Sequence, residues 1–459
     1  MATQRNSKEH PSLFTRRDFL CRTCLGAAVS YTIPSFLQST FMSFNALAAE
    51  SAVQVATGKD SPILVLVQLA GGNDGLNALV PYADDAYYSA RPRIGIPKGD
   101  VLSLNDYVGF NKVLQPLKGI YDQGHLGVIQ GVGYPNPNRS HFRSTEIWQT
   151  AVDSEKTLST GWLGRYFDNQ CAGAAEPDPM AGMAVGNETP LAMVGKTPSS
   201  VTLSRPENYR FQTGARGEDG QRKEGVYREL NQPKEMMGDS EFVGGSTEAG
   251  ASIGTLGGAG MALAPGEDSL DFLQRVALDA QLSSDKITEI AKKYPTTAAY
   301  PTNNLANSLH LVARMIAGGM STRVYYVSQG GFDTHQGQTN THNRLLTDLG
   351  ESLAAFHEDI KAQGKLDQVL VMTFSEFGRR VAENGSGGTD HGTAAPMFMM
   401  GAGVKAGVYG TAPSLTTLDK GDLIHTVDFR SVYASVLEHW MKTPSAPILG
   451  RKFPLLGVV

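Results

Sequence analysis

The sequence predicts an α/β protein with a central, mostly parallel sheet flanked by helices. Short, nearly continuous apolar runs alternate with longer segments whose apolar residues recur every three or four positions. Such runs are typical of strands buried on both faces, and the longer period is typical of amphipathic helices. Because strands and helices of this length alternate, a parallel or mixed sheet is favoured. Hydrophobic residues make up 41% of the 459 residues, enough for a large core, which excludes a disordered chain.

The individual elements follow from these two patterns. The predicted strands are residues 63–70, 126–132, 324–328, 369–374 and 396–400. The predicted helices are residues 145–150, 304–318, 341–363 and 429–442. Residues 175–300 form a predicted insertion, with a helical pattern at 269–280. Within it, residues 244–266 are rich in glycine, alanine, serine and threonine and read as a long loop, either a linker without a role or an active-site flap.

The N-terminal segment has the features of an export signal. Residues 15–20 read TRRDFL, a mildly apolar stretch follows over 20–37, and residues 46–48 read ALA. This order predicts a twin-arginine signal peptide over 1–48, although an amphipathic helix is the alternative. We expect the twin-arginine translocase as a partner, a periplasmic or secreted location, and a single mature domain over 49–459. Cleavage would leave Cys171 as the one cysteine, so no internal disulfide is expected.

Charge and hydropathy exclude two classes of protein. The chain has 40 basic and 45 acidic residues, for a net charge of −5, which lacks the basic footprint of a nucleic-acid binder. No uninterrupted apolar run reaches the ~18 residues needed to cross a bilayer, so stable membrane insertion is not expected.

Carboxylates and imidazoles cluster where predicted strands end. Asp74 follows the first strand, Asp333 and His335 follow the strand 324–328, and Glu376 follows the strand 369–374. His391 lies just before the strand 396–400. Ligands of open α/β sheets bind beyond the carboxyl ends of the strands, so a shared metal site is predicted there. This ligand set suits zinc first, with manganese, magnesium or calcium as alternatives. Asp74 alone is also compatible with an ordinary turn.

A second polar cluster follows the strand 126–132. Ser140 lies between Arg139 and Arg143 just before a predicted helix. Helix N-terminal amides and guanidinium groups both bind anions, so this segment is a candidate anion site with a serine nucleophile. His141 is a candidate for activating a neighbouring hydroxyl. The alternative is a helix N-cap with solvated arginines.

These residues lie in long stretches that resemble the domain of unknown function 1501 family, from about residue 63 to residue 456. The stretches are VQLAGGNDGLN, QGVGYPNPNRSHFRSTEIWQTA, GWLGRYFD, VSQGGFDTHQGQ, TFSEFGRRVAENGSGGTDHGTAAPMFMMG and HTVDFRSVYASVLEHW.

The family is more remotely similar to the alkaline phosphatase and sulfatase superfamily. That similarity implies an alkaline-phosphatase-like fold with two metal ions around a nucleophile. The implied ligands are Asp74, Asp333, His335, Glu376 and His391, with the nucleophile helix starting around Ser140. Phe377 stands where a histidine ligand is usual, and the Cys-x-Pro-x-Arg signature of sulfatases is absent.

Two hypotheses of different kinds follow. The first is an exported metal-dependent hydrolase of phosphate or sulfate esters, acting on a small-molecule or glycan substrate. In it Ser140, or else Ser144, attacks, and Arg139 or Arg143 holds the anion. The second is a non-catalytic protein of the same fold that binds a glycan or another envelope component, which Phe377 favours. A metal-free serine esterase is a third reading, but the GxSxG elbow is absent.

Overall fold

The computed structural model describes residues 61–170, 178, 180–196, 200–205, 222, 284–294 and 298–459. The chain divides into two units, and every element below belongs to the unit formed by 39–209, 256–262 and 283–459. The predicted signal peptide, the glycine-rich segment 244–266 and the helical pattern 269–280 lie outside the described residues. Among the described residues, no helix combines the length and the apolar composition that a membrane span requires.

Strands are distributed along the whole described chain. They are β1 (Ile63–Leu69), β2 (Leu79–Val80), β3 (Val101–Ser103), β4 (Gly109–Asn111), β5 (Leu126–Gly133), β6 (Gly182–Val185), β7 (Ser200–Leu203), β8 (Val324–Gln329), β9 (Val369–Phe374), β10 (Ala395–Met400), β11 (Gly407–Tyr409), β12 (Leu418–Asp419), β13 (Asp422–Leu423) and β14 (Val427–Asp428).

Helices lie between these strands. The α-helices are α1 (Gly75–Ala78), α2 (Asp85–Ala90), α3 (Gln115–Asp122), α4 (His141–Thr150), α5 (Trp162–Gln170), α6 (Asn304–Ala317), α7 (Gln338–Ala362), α8 (Phe429–Ser435) and α9 (Ser445–Leu449). Short 3₁₀ turns cover Lys98–Asp100, Lys112–Leu114, Leu191–Met193 and Leu366–Gln368, and a π-helical segment, Val436–Trp440, continues α8. Residues 284–293 are also helical.

The central sheet has the strand order β11-β5-β10-β9-β1-β8-β6-β7, with β14 also paired to β5. All neighbouring strands run parallel except at β10, which is antiparallel to both β5 and β9. The predicted mostly parallel α/β sheet is therefore confirmed. β1 and β9 are buried along their whole length, as expected for strands with helices on both faces.

The direction of β10 explains how the sites predicted around four strands meet. Residues that follow β1, β8 and β9 leave the sheet at its carboxyl edge. Because β10 runs the other way, residues that precede it lie at that same edge, where Ala395 is opposite Val132 near the end of β5. The segment that precedes β10 therefore lies at the same edge as the segments that follow β1, β8 and β9.

The core confirms the amphipathic patterns. In α7 the apolar positions Leu345, Leu349, Leu353, Phe356 and Ile360 are all buried. α6 is capped by a side-chain hydrogen bond from the backbone amide of Ala306 to Asn303. Burying such a face contributes roughly 1.5–3 kcal/mol per large side chain, so packing fixes these helices more than intrinsic propensity does.

Two differences from the predicted elements concern the neighbourhood of the site. α4 begins at His141 rather than at residue 145, so that Ser140 occupies its N-cap position. β6 and β7 come from the segment predicted as an insertion, yet they extend the central sheet beyond β8. Each strand has only four residues, too short for an apolar period to stand out in the sequence.

Candidate functional site

The loops after β1 and β9 are bound directly to each other at the carboxyl edge. The amide of Gly71 donates to Glu376 Oε1 at 2.8 Å, and the amide of Asn73 donates to Ser375 Oγ at 2.9 Å. Gly71 and Gly72 both have positive φ angles, 121° and 76°. A Cβ atom at Gly71 would lie 2.5 Å from the backbone nitrogen of the loop after β8, so this close approach requires glycine.

Arg379 joins three of the loops. Its buried guanidinium group donates to the carbonyl oxygens of Gly72 at 2.6 Å, Phe332 at 3.0 Å and Thr389 at 2.9 Å. It also donates from Nη2 to Asp333 Oδ1 at 2.8 Å. A guanidinium group offers five donors in a fixed plane, so Arg379 sets the spacing of the loops after β1 and β8 and before β10.

Three histidines surround the carboxylate of Asp333; we call these four residues the histidine–aspartate cluster. From Asp333 Oδ1, the Nε2 atoms of His335, His391 and His141 lie at 3.1, 3.3 and 3.6 Å. The Nε2 atoms of His335 and His391 are 2.9 Å apart. Candidate ligand atoms of His141, Asp333 and His391 all lie within 4.8 Å of one another.

The other ring nitrogen of each histidine faces an oxygen atom. His391 Nδ1 lies 2.8 Å from the carbonyl oxygen of Arg139, which can only accept, so we assign the proton to Nδ1. His141 Nδ1 lies 2.8 Å from Glu376 Oε1, and His335 Nδ1 lies 3.4 Å from Asp390 Oδ1. With Nδ1 as the donor in each ring, all three Nε2 lone pairs point towards Asp333, the arrangement that outer partners impose on metal-binding histidines.

The surroundings of His391 and Asp333 shift the pKa values of both side chains. Burial lowers the pKa of His391, which favours the neutral imidazole with a free lone pair. Burial raises the pKa of Asp333, but the hydrogen bond from Arg379 and the charge of its guanidinium group outweigh that effect and the pKa is lowered overall. Charged Asp333 and neutral His391 are therefore both favoured.

Phe377 packs beneath the cluster. Its ring centroid lies 4.7 Å from that of His391 and 4.8 Å from that of His141, and its side chain is buried. It cannot bind a metal, but it fixes the planes of two imidazoles. Phe377 therefore supports the cluster from below.

The cluster fits a divalent cation by its donor set. Nε2 of His141 is buried and, within the described residues, has no hydrogen-bond partner, although it faces Asp333. Lone pairs converging on a carboxylate repel one another unless a cation lies between them. Ligand atoms in a tetrahedral zinc site lie roughly 3.3–3.6 Å apart, and the distances from Asp333 Oδ1 to Nε2 of His391 and His141, 3.3 and 3.6 Å, fall in this range. Imidazole nitrogens and a carboxylate oxygen are typical zinc ligands.

Asp74 and Glu376 have partners of their own. The buried carboxylate of Asp74 accepts from Arg91 Nη1 at 2.6 Å and from the amide of Gln338. Burial raises the pKa of Asp74, but Arg91 more than offsets this and the pKa is lowered. Glu376 accepts from Gly71 and His141 and so holds a candidate ligand in place. For both residues, direct metal binding stays a prediction.

The two candidate nucleophiles differ sharply. Ser140 is exposed, and its side chain makes no capping hydrogen bond to the helix it precedes, as far as the described residues go. Both of its neighbours contact the site, Arg139 through its carbonyl oxygen and His141 through its ring. Ser144 is fully buried, 2.7 Å from the hydroxyl of Tyr134, and donates to the carbonyl oxygen of Glu376. Its hydroxyl is committed to the core.

The two arginines beside Ser140 are bound to other groups. Arg139 forms an ion pair with the buried carboxylate of Asp422. Arg143 pairs with Glu146 at 2.7 Å and donates to the carbonyl oxygen of Ser154 at 2.8 Å, in the loop after α4. The predicted anion clamp therefore remains a prediction for both side chains.

Sequence reasoning missed three residues that organise this edge. Arg379 and Asp390 lie in the polar segments after β9 and before β10, and their proximity to Glu376 and His391 was the available signal. Arg91, at the C-cap of α2, reaches Asp74 from 17 residues away. No strand end or motif marks it, so nothing in the sequence pointed to it.

Fold and site together describe a mostly parallel α/β sheet with a histidine–aspartate cluster at its carboxyl edge. Residues 259–457 match the profile of a family described as "Protein of unknown function (DUF1501)". The resemblance predicted from the sequence is confirmed over these residues. No curated protein matches the sequence.

Solved structures similar to this one include sulfatases and a protein in the alkaline phosphatase superfamily. Ps i-CgsB in complex with k-i-k-neocarrahexaose is 11% identical, covers 86% of this chain and 73% of its own, with a TM-score of 0.34. A protein in the alkaline phosphatase superfamily from Vibrio parahaemolyticus is 9% identical, with coverages of 92% and 79% and a TM-score of 0.34. The PsFucS1 sulfatase from Pseudoalteromonas sp. is 10% identical, with coverages of 86% and 71% and a TM-score of 0.34.

Proposed function

We propose that the protein is a metal-dependent hydrolase of phosphate or sulfate esters. One observation carries the proposal: three imidazoles, each with Nδ1 held by an oxygen atom, direct Nε2 towards a single carboxylate oxygen of Asp333. In this proposal His141, Asp333 and His391 hold the ion, because their candidate ligand atoms all lie within 4.8 Å of one another, and His335 lies beside them, 2.9 Å from His391. Three protein ligands leave a position open for a reacting group. Zinc is the first candidate, because neutral imidazoles and a carboxylate are its usual ligands.

A bound divalent ion would supply Lewis acidity and lower the pKa of a coordinated hydroxyl or water. The residues of the chain do the rest. Glu376 and the carbonyl oxygen of Arg139 orient two of the imidazoles, and Phe377 fixes their planes. Ser140 is the proposed nucleophile because its exposed side chain lies between two residues that contact the cluster.

The proposed site takes one metal ion rather than two. Asp74, the implied first-strand ligand of a second ion, is instead neutralised by the buried guanidinium group of Arg91. A fixed positive charge thus stands at the carboxylate that a second cation would need, and it opposes the binding of that cation by like-charge repulsion.

Metal analysis and ester hydrolysis by the purified protein test this function. We expect about one zinc ion per chain and turnover of p-nitrophenyl phosphate or p-nitrophenyl sulfate. A chelator should abolish the turnover and added zinc should restore it, because the folded cluster supplies all of the ligands. Bound metal without turnover of either ester would favour the alternative of a non-catalytic glycan-binding or envelope protein. Absence of tight metal binding would refute the site itself.

Export remains part of the proposal and rests on the sequence alone. Exchange of Arg16 and Arg17 together for lysine is expected to leave the full-length precursor in the cytoplasm, because the paired arginines are read by the translocase. Cell fractionation with an antibody to the mature chain measures this. Delivery of the variant to the periplasm at the normal level would contradict twin-arginine export.

A further inference from the structure

A second cleft lies at the far end of α4 from the histidine–aspartate cluster. It has a volume of about 460 Å³ and is bounded by Ala151, the C-cap of α4, and by the loop that follows. His141 is the first residue of the same ten-residue helix, which spans ~15 Å. The cleft is therefore separate from the site described above, and we call it the α4 cleft.

The α4 cleft has a surplus of positive charge. Lys156, Arg165, Arg430 and Arg451 line it, and Asp153 is the acidic residue among the described residues of its lining. The carboxylate of Asp153 is shared by Lys156 at 3.0 Å, Arg430 at 2.5 Å and Arg451 at 3.4 Å. One negative charge does not neutralise three positive ones, and this leaves the cleft attractive to anions.

The surplus resides on side chains that a ligand can reach. Arg430 is buried and has a second carboxylate partner, Asp428, at 2.7 Å, so its charge is compensated. The side chains of Lys156 and Arg451 are 70% and 60% exposed. Their long stems let the charged groups move towards a bound anion without disturbing the core.

An apolar surface lies beside these charges. The ring of Phe453 has the guanidinium carbon of Arg451 4.8 Å from its centroid and that of Arg430 at 4.9 Å. Leu158, also in the lining, is 42% exposed. These two cation–π contacts hold the partly exposed ring of Phe453 in place.

We propose that the α4 cleft binds an anionic polysaccharide, one that carries sulfate or carboxylate groups. Lys156 and Arg451 would take the anionic substituents, and Asp153 would accept hydrogen bonds from sugar hydroxyls. The C–H face of a sugar ring would lie against the exposed side chain of Leu158 and the exposed part of Phe453. A concave surface with a carboxylate at its centre suits a polymer strand better than a flat anionic bilayer. This inference does not depend on catalysis at the histidine–aspartate cluster.

Calorimetric titration of the full chain with dextran sulfate tests the proposal, with neutral dextran of the same length as the reference polymer. We expect binding to dextran sulfate that weakens with added salt, and none to neutral dextran. Exchange of Arg451 for alanine should weaken binding roughly tenfold, and Lys156→Ala combined with it should weaken binding further. Lys452→Ala is the matched control, because Lys452 is the exposed neighbour of Arg451 but does not line the cleft. The affinity of this variant for dextran sulfate should stay within about twofold of that of the unmodified protein.

Three outcomes would overturn the proposal. Equal losses in Arg451→Ala and Lys452→Ala would indicate unspecific attraction to a basic surface. Equal binding of neutral and sulfated dextran would remove the role of charge. Binding to vesicles of phosphatidylserine and phosphatidylcholine that depends on Arg451, without binding to dextran sulfate, would make the cleft a lipid site. Unchanged melting temperatures of the variants would establish that a loss of affinity is not a loss of folding.

Discussion

Exchange of His391 for alanine is expected to remove most of the bound metal and nearly all ester hydrolysis. The imidazole of His391 lies 2.9 Å from that of His335 and 3.3 Å from Asp333, at the centre of the cluster. Loss of residues that merely orient a ligand already lowers metal affinity by ~10–100-fold, so loss of a ligand should cost at least as much. Zinc content by mass spectrometry and the rate of p-nitrophenyl ester hydrolysis measure the two effects.

His310→Ala provides a matched control for that variant. His310 stacks on Tyr300 at a centroid distance of 4.6 Å, and neither residue belongs to the histidine–aspartate cluster. We expect it to keep its metal and its activity. If His391→Ala held zinc as tightly as the unmodified protein did, His391 would not be a ligand. Glu376→Gln should give an intermediate loss, because it weakens the orientation of His141 without removing a ligand.

Exchange of Ser140 for alanine is expected to abolish turnover and to leave metal content and stability unchanged. A nucleophile acts in the transition state, so its removal should lower kcat by about 10³-fold or more. The cost in folding should stay below ~0.5 kcal/mol, because Ser140 is exposed and its hydroxyl makes no capping hydrogen bond within the described chain. Steady-state kinetics, metal analysis and thermal denaturation of one preparation measure all three quantities.

Ser144→Ala should show the opposite pattern. The buried hydroxyl of Ser144 bonds to Tyr134 and Glu376, so its loss should reduce the free energy of unfolding by about 1–3 kcal/mol. Most of the turnover should remain once the variant is folded. Full activity in Ser140→Ala would exclude Ser140 as the nucleophile and leave attack by a water molecule as the remaining route. A melting temperature lowered in Ser140→Ala as much as in Ser144→Ala would assign Ser140 a structural role.

The sheet was predictable because its strands are buried on both faces. β1 and β9 carry no polar alternation that would hide them, and their limits agree with the prediction to within one residue. The direction of β10 was not predictable, since apolar content does not distinguish a parallel from an antiparallel strand. The start of α4 was missed because its first turn, from His141 to Ser144, carries no apolar period.

The sequence predicts which segments meet at the site, but not which residues contact one another there. The rule that ligands bind at strand ends brought Asp333, His335 and His391 together in the prediction, and they meet in the structure. The same rule could not separate Asp74 from them, because the position of Arg91 depends on how the chain folds back after α1. His141 was predicted as a helper of a hydroxyl, and only the geometry places it beside Asp333.

The reversed direction of β10 also means that the complete cluster exists only in the folded protein. Arg139 and His391, which share a hydrogen bond, are 252 residues apart in the chain, and only the completed sheet brings them to one edge. An unfolded chain therefore keeps only Asp333 and His335 close to each other and does not offer the complete cluster. An ion bound by the complete cluster would bind the native state in preference to the unfolded chain, so it would stabilise the fold by an amount that grows with the ratio of free ion to Kd. The metal would therefore stabilise the correctly folded protein and not a misfolded one.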